Sequence, residues 1–210
     1  MKSTRESLLS AATVLFSGKG YGDTSIREIG TKAGVSDSII YHYFKNKEDL
    51  LFQIIQIASQ DLIQMLVKID EEISDPVECL YEMLLTNMTL FNLKRNKEIK
   101  IITSDRHWLR GKRHGTIKDM LRKIRSIYVQ KLYKMSEMGL LNDIDLSVLS
   151  SCISNNVVGF HEWYHKGGHL SAEEAAHNVI KFVFNASLNK KGLDLVSRLS
   201  NYPNQYASGG

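Results

Sequence analysis

The chain has 210 residues, 43% hydrophobic and 24% charged, with a net charge of +4 at pH 7. That suits one large or two small domains with enough apolar content for real cores. No segment approaches the roughly 18 continuous apolar residues of a membrane span, and Cys79 and Cys152 stand too far apart for metal or redox spacing, which fits a reducing cytoplasm.

Only two prolines occur, and long stretches lack both breakers and strand alternation, so the expected fold class is all-α. The apolar run LLSAATVLF after Met1-Lys2 could pass for a signal peptide. However, Leu8, Leu9, Ala12, Leu15 and Phe16 recur at helical spacing and predict an amphipathic helix over Thr4–Ser17, stopped by Gly18-Lys19-Gly20. Ser25 and Glu28 form a capping-box pair that opens a helix over Ile26–Ala33, and Gly34 stands where a left-handed stop is wanted. Ser36 can cap a short third helix ending at Tyr43, and Asn46 with Asp49 caps a long fourth helix to Glu72. Asp75-Pro76 opens the next, to Leu93, because proline fits a first helical turn. A shorter helix is expected over Glu98–Leu109. Gly111 and Gly115 interrupt the pattern, and a long helix follows from Thr116 to Gly139. Two more cover Asp145–His165, stopped by Gly167-Gly168, and Ser171–Leu188, opened by a second capping box of Ser171 with Glu174. The expected domains are 1–47, 48–190 and a loose C-terminal tail over 191–210.

The second and third helices and their glycine turn form a helix-turn-helix pattern, with Gly30 and Ala33 small enough for close approach. Such a unit buries the back of its short helix and offers the first residues to base edges. That assigns Ser36, Asp37 and Ser38 to the partner side. Ile40 and Phe44, four apart, face inward with Ile26, Ile29 and Val35. Tyr41 can pack its ring while its hydroxyl reaches a phosphate, and Lys47 can donate to another. Asp37 either accepts from a cytosine amino group or caps its helix.

Thr24–Leu51, TSIREIGTKAGVSDSIIYHYFKNKEDLL, resembles the DNA-binding domain of TetR-family transcriptional regulators. The resemblance rests on the Gly34-Val35-Ser36 turn, the Tyr41-His42-Tyr43-Phe44 block and Asn46-Lys47-Glu48, with Ser38 and Ile39 standing where many relatives have Gly and Thr. It implies an N-terminal three-helix helix-turn-helix domain followed by a helical ligand-binding and dimerisation domain. It also implies DNA contacts at Ser25, Arg27, Ser38, Tyr41, Tyr43 and Lys47. Residues 1–53 hold seven Lys/Arg against six Asp/Glu, so one copy makes few phosphate contacts. Two copies on a palindromic operator, with recognition helices about 34–36 Å apart, would remedy this, so a homodimer is expected on physical grounds as well.

By the same resemblance the last two long helices pair with their mates, and the middle helices enclose a small-molecule pocket. Candidate lining residues are Met88, Phe91, Trp108, Met120, Asn156, Phe160 and Trp163, although a Met or aromatic at helical spacing is more often plain core. Residues 94–134 hold fourteen Lys/Arg against three Asp/Glu. Either this is a solvated helix face, or Arg110 and Arg113 fork onto the phosphates of an anionic effector. The block GFHEWYHKGGHLSAEEAA, Gly159–Ala176, also resembles TetR-family regulators of fatty-acid and steroid breakdown, whose effectors are acyl-CoA thioesters.

A competing motif lies inside that block. His161-Glu162-Trp163-Tyr164-His165 matches H-E-x-x-H, which on one helix face binds zinc with the glutamate as base. It lacks a third ligand chosen by spacing, since His169, Glu173, Glu174 and His177 compete equally. The expected function is a cytoplasmic, dimeric regulator of double-stranded DNA, a repressor released by an effector such as an acyl-CoA, with no cofactor and no membrane partner. The alternative is a zinc-dependent hydrolase or metal sensor.

Overall fold

A computed structural model describes residues 3–199. The helices are α1 (Thr4–Lys19), α2 (Ile26–Ala33), α3 (Asp37–Tyr43), α4 (Lys47–Glu72), α5 (Pro76–Thr86), α6 (Asn96–Ser104), α7 (Gly111–Glu137), α8 (Leu146–Trp163), α9 (Ala172–Ser187) and α10 (Lys190–Val196). A π turn, Asn87–Asn92, follows α5, and a 3-10 turn, Arg106–Trp108, follows α6. The fold is all-α as expected; among the described residues the extended pairing is confined to an isolated bridge between Leu141 and Leu188.

The caps explain most boundaries. Glu28 N–H donates to Ser25 Oγ at 3.2 Å while Ser25 N–H donates to the Glu28 carboxylate at 2.8 Å, a reciprocal box that satisfies two orphan donors of α2. Ser171 and Glu174 do the same for α9. Asp75 accepts from Val77 and Glu78 N–H, both at 2.9 Å, ahead of Pro76.

Four expectations change. The helix expected over Glu98–Leu109 stops at Ser104, ahead of the 3-10 turn. The helix expected to Leu93 rewinds into a π turn at Asn87. Gly111 and Gly115 do not interrupt α7, which starts at the first and runs through the second; its opening turn is tied down instead by Arg110 N–H donating to Glu48 at 3.0 Å. The expected loose tail contains α10. Asn189 accepts from Gly192 N–H at 3.1 Å and donates to the Gly139 carbonyl at 2.9 Å, and Val196 is buried. Residues from 200 onward lie outside the described residues.

The chain forms two compact units, and their division differs from a boundary at residue 47. The N-terminal unit holds the chain to Asp61 together with Arg95–Arg122; the C-terminal unit holds Leu62–Lys94 and the chain from Lys123. The first turns of α4 belong to the N-terminal unit because Leu50, Leu51, Ile54 and Ile55 share one core with Leu8, Phe16, Ile29, Ile40 and Phe44. Ile101, Leu109 and Ile117 join that core from α6, the 3-10 corner and α7. Among the described residues α4 alone is long and apolar enough to cross a membrane, but these apolar residues are buried in protein. The C-terminal core gathers Leu66, Leu80, Tyr81 and Met83 with Leu149, Phe160, Ile180 and Phe184.

Candidate functional site

The front of the N-terminal unit is built around one close approach. A Cβ on Gly30 would stand 2.9 Å from the Val35 carbonyl oxygen and 3.1 Å from Ile40 Cδ1, so a glycine lets α2 meet the turn and α3. Gly34 then reverses the chain at φ 72°, and Val35 N–H donates back to the Gly30 carbonyl at 3.0 Å. Ile40 and Phe44 are buried behind α3, as their spacing predicts. Ser36, Asp37, Ser38, Tyr41, His42 and Tyr43 are exposed in front, Tyr41 by 57%. Ser36 sits at the cap position without capping; its hydroxyl pairs with that of Ser38 at 2.9 Å, leaving two small polar groups on the surface. Asp37 opens α3, where the helix dipole favours a carboxylate.

Ser25 and Arg27 are exposed on α2. The Ser25 hydroxyl both accepts Glu28 N–H and donates to the Glu28 carboxylate at 2.8 Å. The Lys19 ammonium, then the Ser25 groups, hold the Glu28 carboxyl down at about 2, so the cap stays charged.

Lys47 lies elsewhere than expected. Its ammonium donates to the Tyr21 and Thr24 carbonyls, each at 2.8 Å, more weakly to that of Gly22 at 3.4 Å, and stands 4.2 Å from the Tyr21 ring centre. Burial pushes its pKa down. Its three protons hold the α1–α2 loop rather than point outward, which leaves its backbone N–H at the α4 start as the group suited to a phosphate. The same loop is gripped from the 3-10 corner. Asp105, buried, accepts Tyr21 N–H at 3.2 Å, and the Trp108 ring lies 5.5 Å from that of Tyr21. Burial raises the Asp105 pKa.

The expected ligand residues divide between the units. Trp108, Arg110, Arg113 and Met120 belong to the N-terminal one, and Met88, Phe91, Asn156, Phe160 and Trp163 to the C-terminal one. Arg113 bonds Asp49 at 2.9 Å and lies 3.5 Å from Glu48, with its guanidinium 5.9 Å from the Phe52 ring. Its fork is engaged by the carboxylates that open α4. Arg110 donates through its side chain to the His107 carbonyl at 2.5 Å. Met120 packs at the edge of the N-terminal core.

Within the C-terminal unit Met88, Phe91 and Phe160 are buried, Asn156 donates to the Cys152 carbonyl at 2.8 Å, and Trp163 lines a cleft of about 180 Å³ with Tyr164, His165, His169 and Leu170. The basic run is also partly internal, since Arg125 donates to Ser150 at 2.9 Å and Lys131 is buried against Asp70.

The H-E-x-x-H pair does not share a helical face. α8 ends at Trp163, Tyr164 is extended, and His165 lies beyond the helix, while His161 Nδ1 is 2.6 Å from the Val158 carbonyl oxygen. Among the described residues no three His, Cys, Asp or Glu side chains converge to hold a metal.

What the sequence reading missed is the second segment of the N-terminal unit. With Arg95–Arg122 included, that unit carries sixteen Lys/Arg against ten Asp/Glu, a net +6, whereas the C-terminal unit carries eleven against thirteen, a net −2. The signal available was charge complementarity between Glu48-Asp49 and the distant basic run.

Comparison with known proteins follows the same division. Residues 8–54 match the family described as bacterial regulatory proteins, tetR family, and residues 74–187 match the tetracyclin repressor-like C-terminal domain. The HTH-type transcriptional repressor KstR2 of Mycobacterium tuberculosis is 23% identical over 195 residues, 92% of this chain and 96% of its own. Its solved structure superposes with a TM-score of 0.82 over 90% of this chain and 97% of the other, at 22% identity. The HTH-type transcriptional regulator HbdR of Aromatoleum sp. (strain CIB) is 33% identical over 115 residues, 55% of this chain and 50% of its own. The structure of AibR with isovaleryl coenzyme A and operator DNA aligns with a TM-score of 0.78 at 24% identity, covering 88% of this chain and 98% of that one. With its helix-turn-helix half and its C-terminal half both matched, the chain belongs to the TetR family of transcriptional regulators.

Proposed function

We propose that the protein is a cytoplasmic, homodimeric repressor that holds a palindromic operator through two copies of α3 and leaves it when a small-molecule effector, an acyl-CoA thioester, binds the C-terminal unit. The observation that carries this reading is the exposed row of Ser36, Ser38, Tyr41 and Tyr43 on a helix anchored from behind by buried Ile40. Ser36, Asp37 and Ser38 are assigned to base edges, and Arg27, Tyr41, Tyr43 and the α4 N-terminus at Lys47 to the backbone, with Ser25 holding α2 in place beside them. The net +6 of the N-terminal unit supplies the attraction to DNA that residues 1–53 lack.

Dimerisation is supported by the apolar side chains that α8 and α9 leave outside their own core, Val148, Val158 and Phe182, the last 67% exposed. The effector reading draws on AibR, whose structure with isovaleryl coenzyme A and operator DNA has this fold. Met88, Phe91, Asn156, Phe160 and Trp163 are the proposed lining. The effector acts by binding better to a conformation with another spacing of the two α3 helices, and α4, which contributes residues to both units, carries the change. The test is a DNA-binding assay on the region beside its own gene, with and without acyl-CoAs of increasing chain length. Retention of that DNA, lost when one thioester is added, is expected; failure to retain it would refute the repressor reading.

A further inference from the structure

The C-terminal unit buries a polar chain that neither DNA contacts nor an apolar lining explains. Asn87 and Asn92 begin and end the π turn, and both are buried, Asn92 to 1% exposure. Side chains five apart on an α-helix point about 140° away from each other, whereas a π turn, bonding residue i to i+5, brings them together. Asn92 Nδ2 donates to Asn87 Oδ1 at 3.2 Å and to the Val157 carbonyl of α8 at 3.0 Å. Asn87 Nδ2 in turn donates to the Tyr128 hydroxyl at 2.8 Å. Turning the Asn92 amide over would set its oxygen against two carbonyl oxygens, so the network fixes its orientation. That orientation leaves Asn92 Oδ1 buried without a donor. Folded proteins seldom leave an acceptor so placed, because its lost hydration is not replaced. The π winding thus brings the two amides together and leaves one oxygen free, in a turn that also buries Met88 and Phe91.

We infer that Asn92 Oδ1 is the buried acceptor for an N–H or O–H group of the effector. The inference rests on the reading that the C-terminal unit takes a small-molecule effector, and it adds a chemical demand: the ligand must present a hydrogen-bond donor amid apolar surface. An acyl-CoA has such donors in two places, the amide N–H and hydroxyl groups of its pantetheine arm and any hydroxyl on its acyl chain. A ligand presenting only acceptors at that point leaves the oxygen unpaired and is rejected more strongly than a missing methylene would be. Asn87, which accepts from Asn92 Nδ2, is the positioning residue that holds the amide and does not touch the ligand; Tyr128 lies one bond further out, on Asn87, and braces the fold alone.

The experiment is calorimetric titration of the full-length protein with octanoyl-CoA and with 3-hydroxyoctanoyl-CoA. It compares the wild type with Asn92→Leu, which keeps the branched heavy-atom shape, and Tyr128→Phe; operator binding is measured in parallel. Asn92→Leu should weaken binding by about tenfold or more, while operator affinity stays within about twofold and Tyr128→Phe binds effector as the wild type does. Equal loss with both thioesters places the donor on the pantetheine arm; loss with the hydroxylated one alone places it on the acyl chain. Wild-type affinity in Asn92→Leu, with only a lower melting temperature, overturns the inference and leaves the effector reading standing, as does an equal loss in Tyr128→Phe. A wild type that binds neither thioester defeats the acyl-CoA reading and this inference with it. Should Asn92→Leu fail to fold, Asn92→Ser is titrated in the same way and judged by the same outcomes.

Discussion

The two units treat polar side chains in opposite ways. The N-terminal unit sets Ser36, Ser38, Tyr41 and Tyr43 outside, on a seven-residue helix whose back is apolar. The C-terminal unit turns Asn87, Asn92 and Tyr128 inward and joins them by hydrogen bonds of 2.8 and 3.2 Å. Exposed polar groups on a rigid element keep their hydration until a large partner replaces it. Buried ones must be satisfied from within or by a bound ligand, so they dictate one local geometry and tolerate little else. A unit of the first kind suits a partner as long as an operator; one of the second kind suits a ligand small enough to be surrounded.

The contrast is tested most severely at the anchor of α3. Ile40→Ala removes a fully buried side chain from the N-terminal core and should cost about 2–4 kcal/mol of stability. Hydrogen exchange should then lose protection through α1–α3 and the first half of α4 while α5 and α9 keep theirs. Equal loss throughout would show one cooperative block and remove the basis for treating the units separately.

Lys47 distinguishes a loop clamp from a phosphate contact. Lys47→Met keeps the stem and leaves the Tyr21 and Thr24 carbonyls without their 2.8 Å donors; a cost of about 1–3 kcal/mol follows. Operator binding should weaken with the salt dependence of its affinity unchanged. A slope lower by about 1 would show instead that the ammonium reaches a phosphate.

These two residues also show where legibility in the sequence ends. Ile40 was readable because burial follows from spacing to Phe44, and Ser25 with Glu28 because a capping box is a local rule. Gly34 was readable because its positive φ follows from a helix stop. The role of Lys47 was not, since its acceptors lie 23 and 26 residues earlier and are backbone carbonyls, which carry no side-chain signature. Asp105 on Tyr21 N–H spans 84 residues, and Arg113 on Asp49 spans 64. Both depend on which helices meet, and periodicity says nothing of that. The π turn is quieter still: NMTLFN looks like a helix continuing α5, and the asparagine pair has meaning only once an extra residue is wound into the turn.

A matched pair of tyrosines draws the finest line between the units. Tyr128→Phe deletes the hydroxyl that accepts from Asn87 Nδ2 and strands a buried donor, so about 1–2 kcal/mol of stability should be lost. Thermal or denaturant melting checks this, and a loss below about 0.5 kcal/mol would mean the network relaxes around the gap. Tyr41→Phe deletes a hydroxyl on a side chain that is 57% exposed, so the fold should not register it. Its effect belongs to the complex alone. One hydroxyl bond to an anionic phosphate at an exposed site is worth about 1.5 kcal/mol, or about tenfold in affinity. Because a phosphate carries no base identity, the loss should be the same on operator and on unrelated DNA, and the salt slope should not change, since no charge is removed. A loss confined to operator would move Tyr41 from the backbone to a base edge, and α3 would then read sequence along more of its length than Ser36 to Ser38.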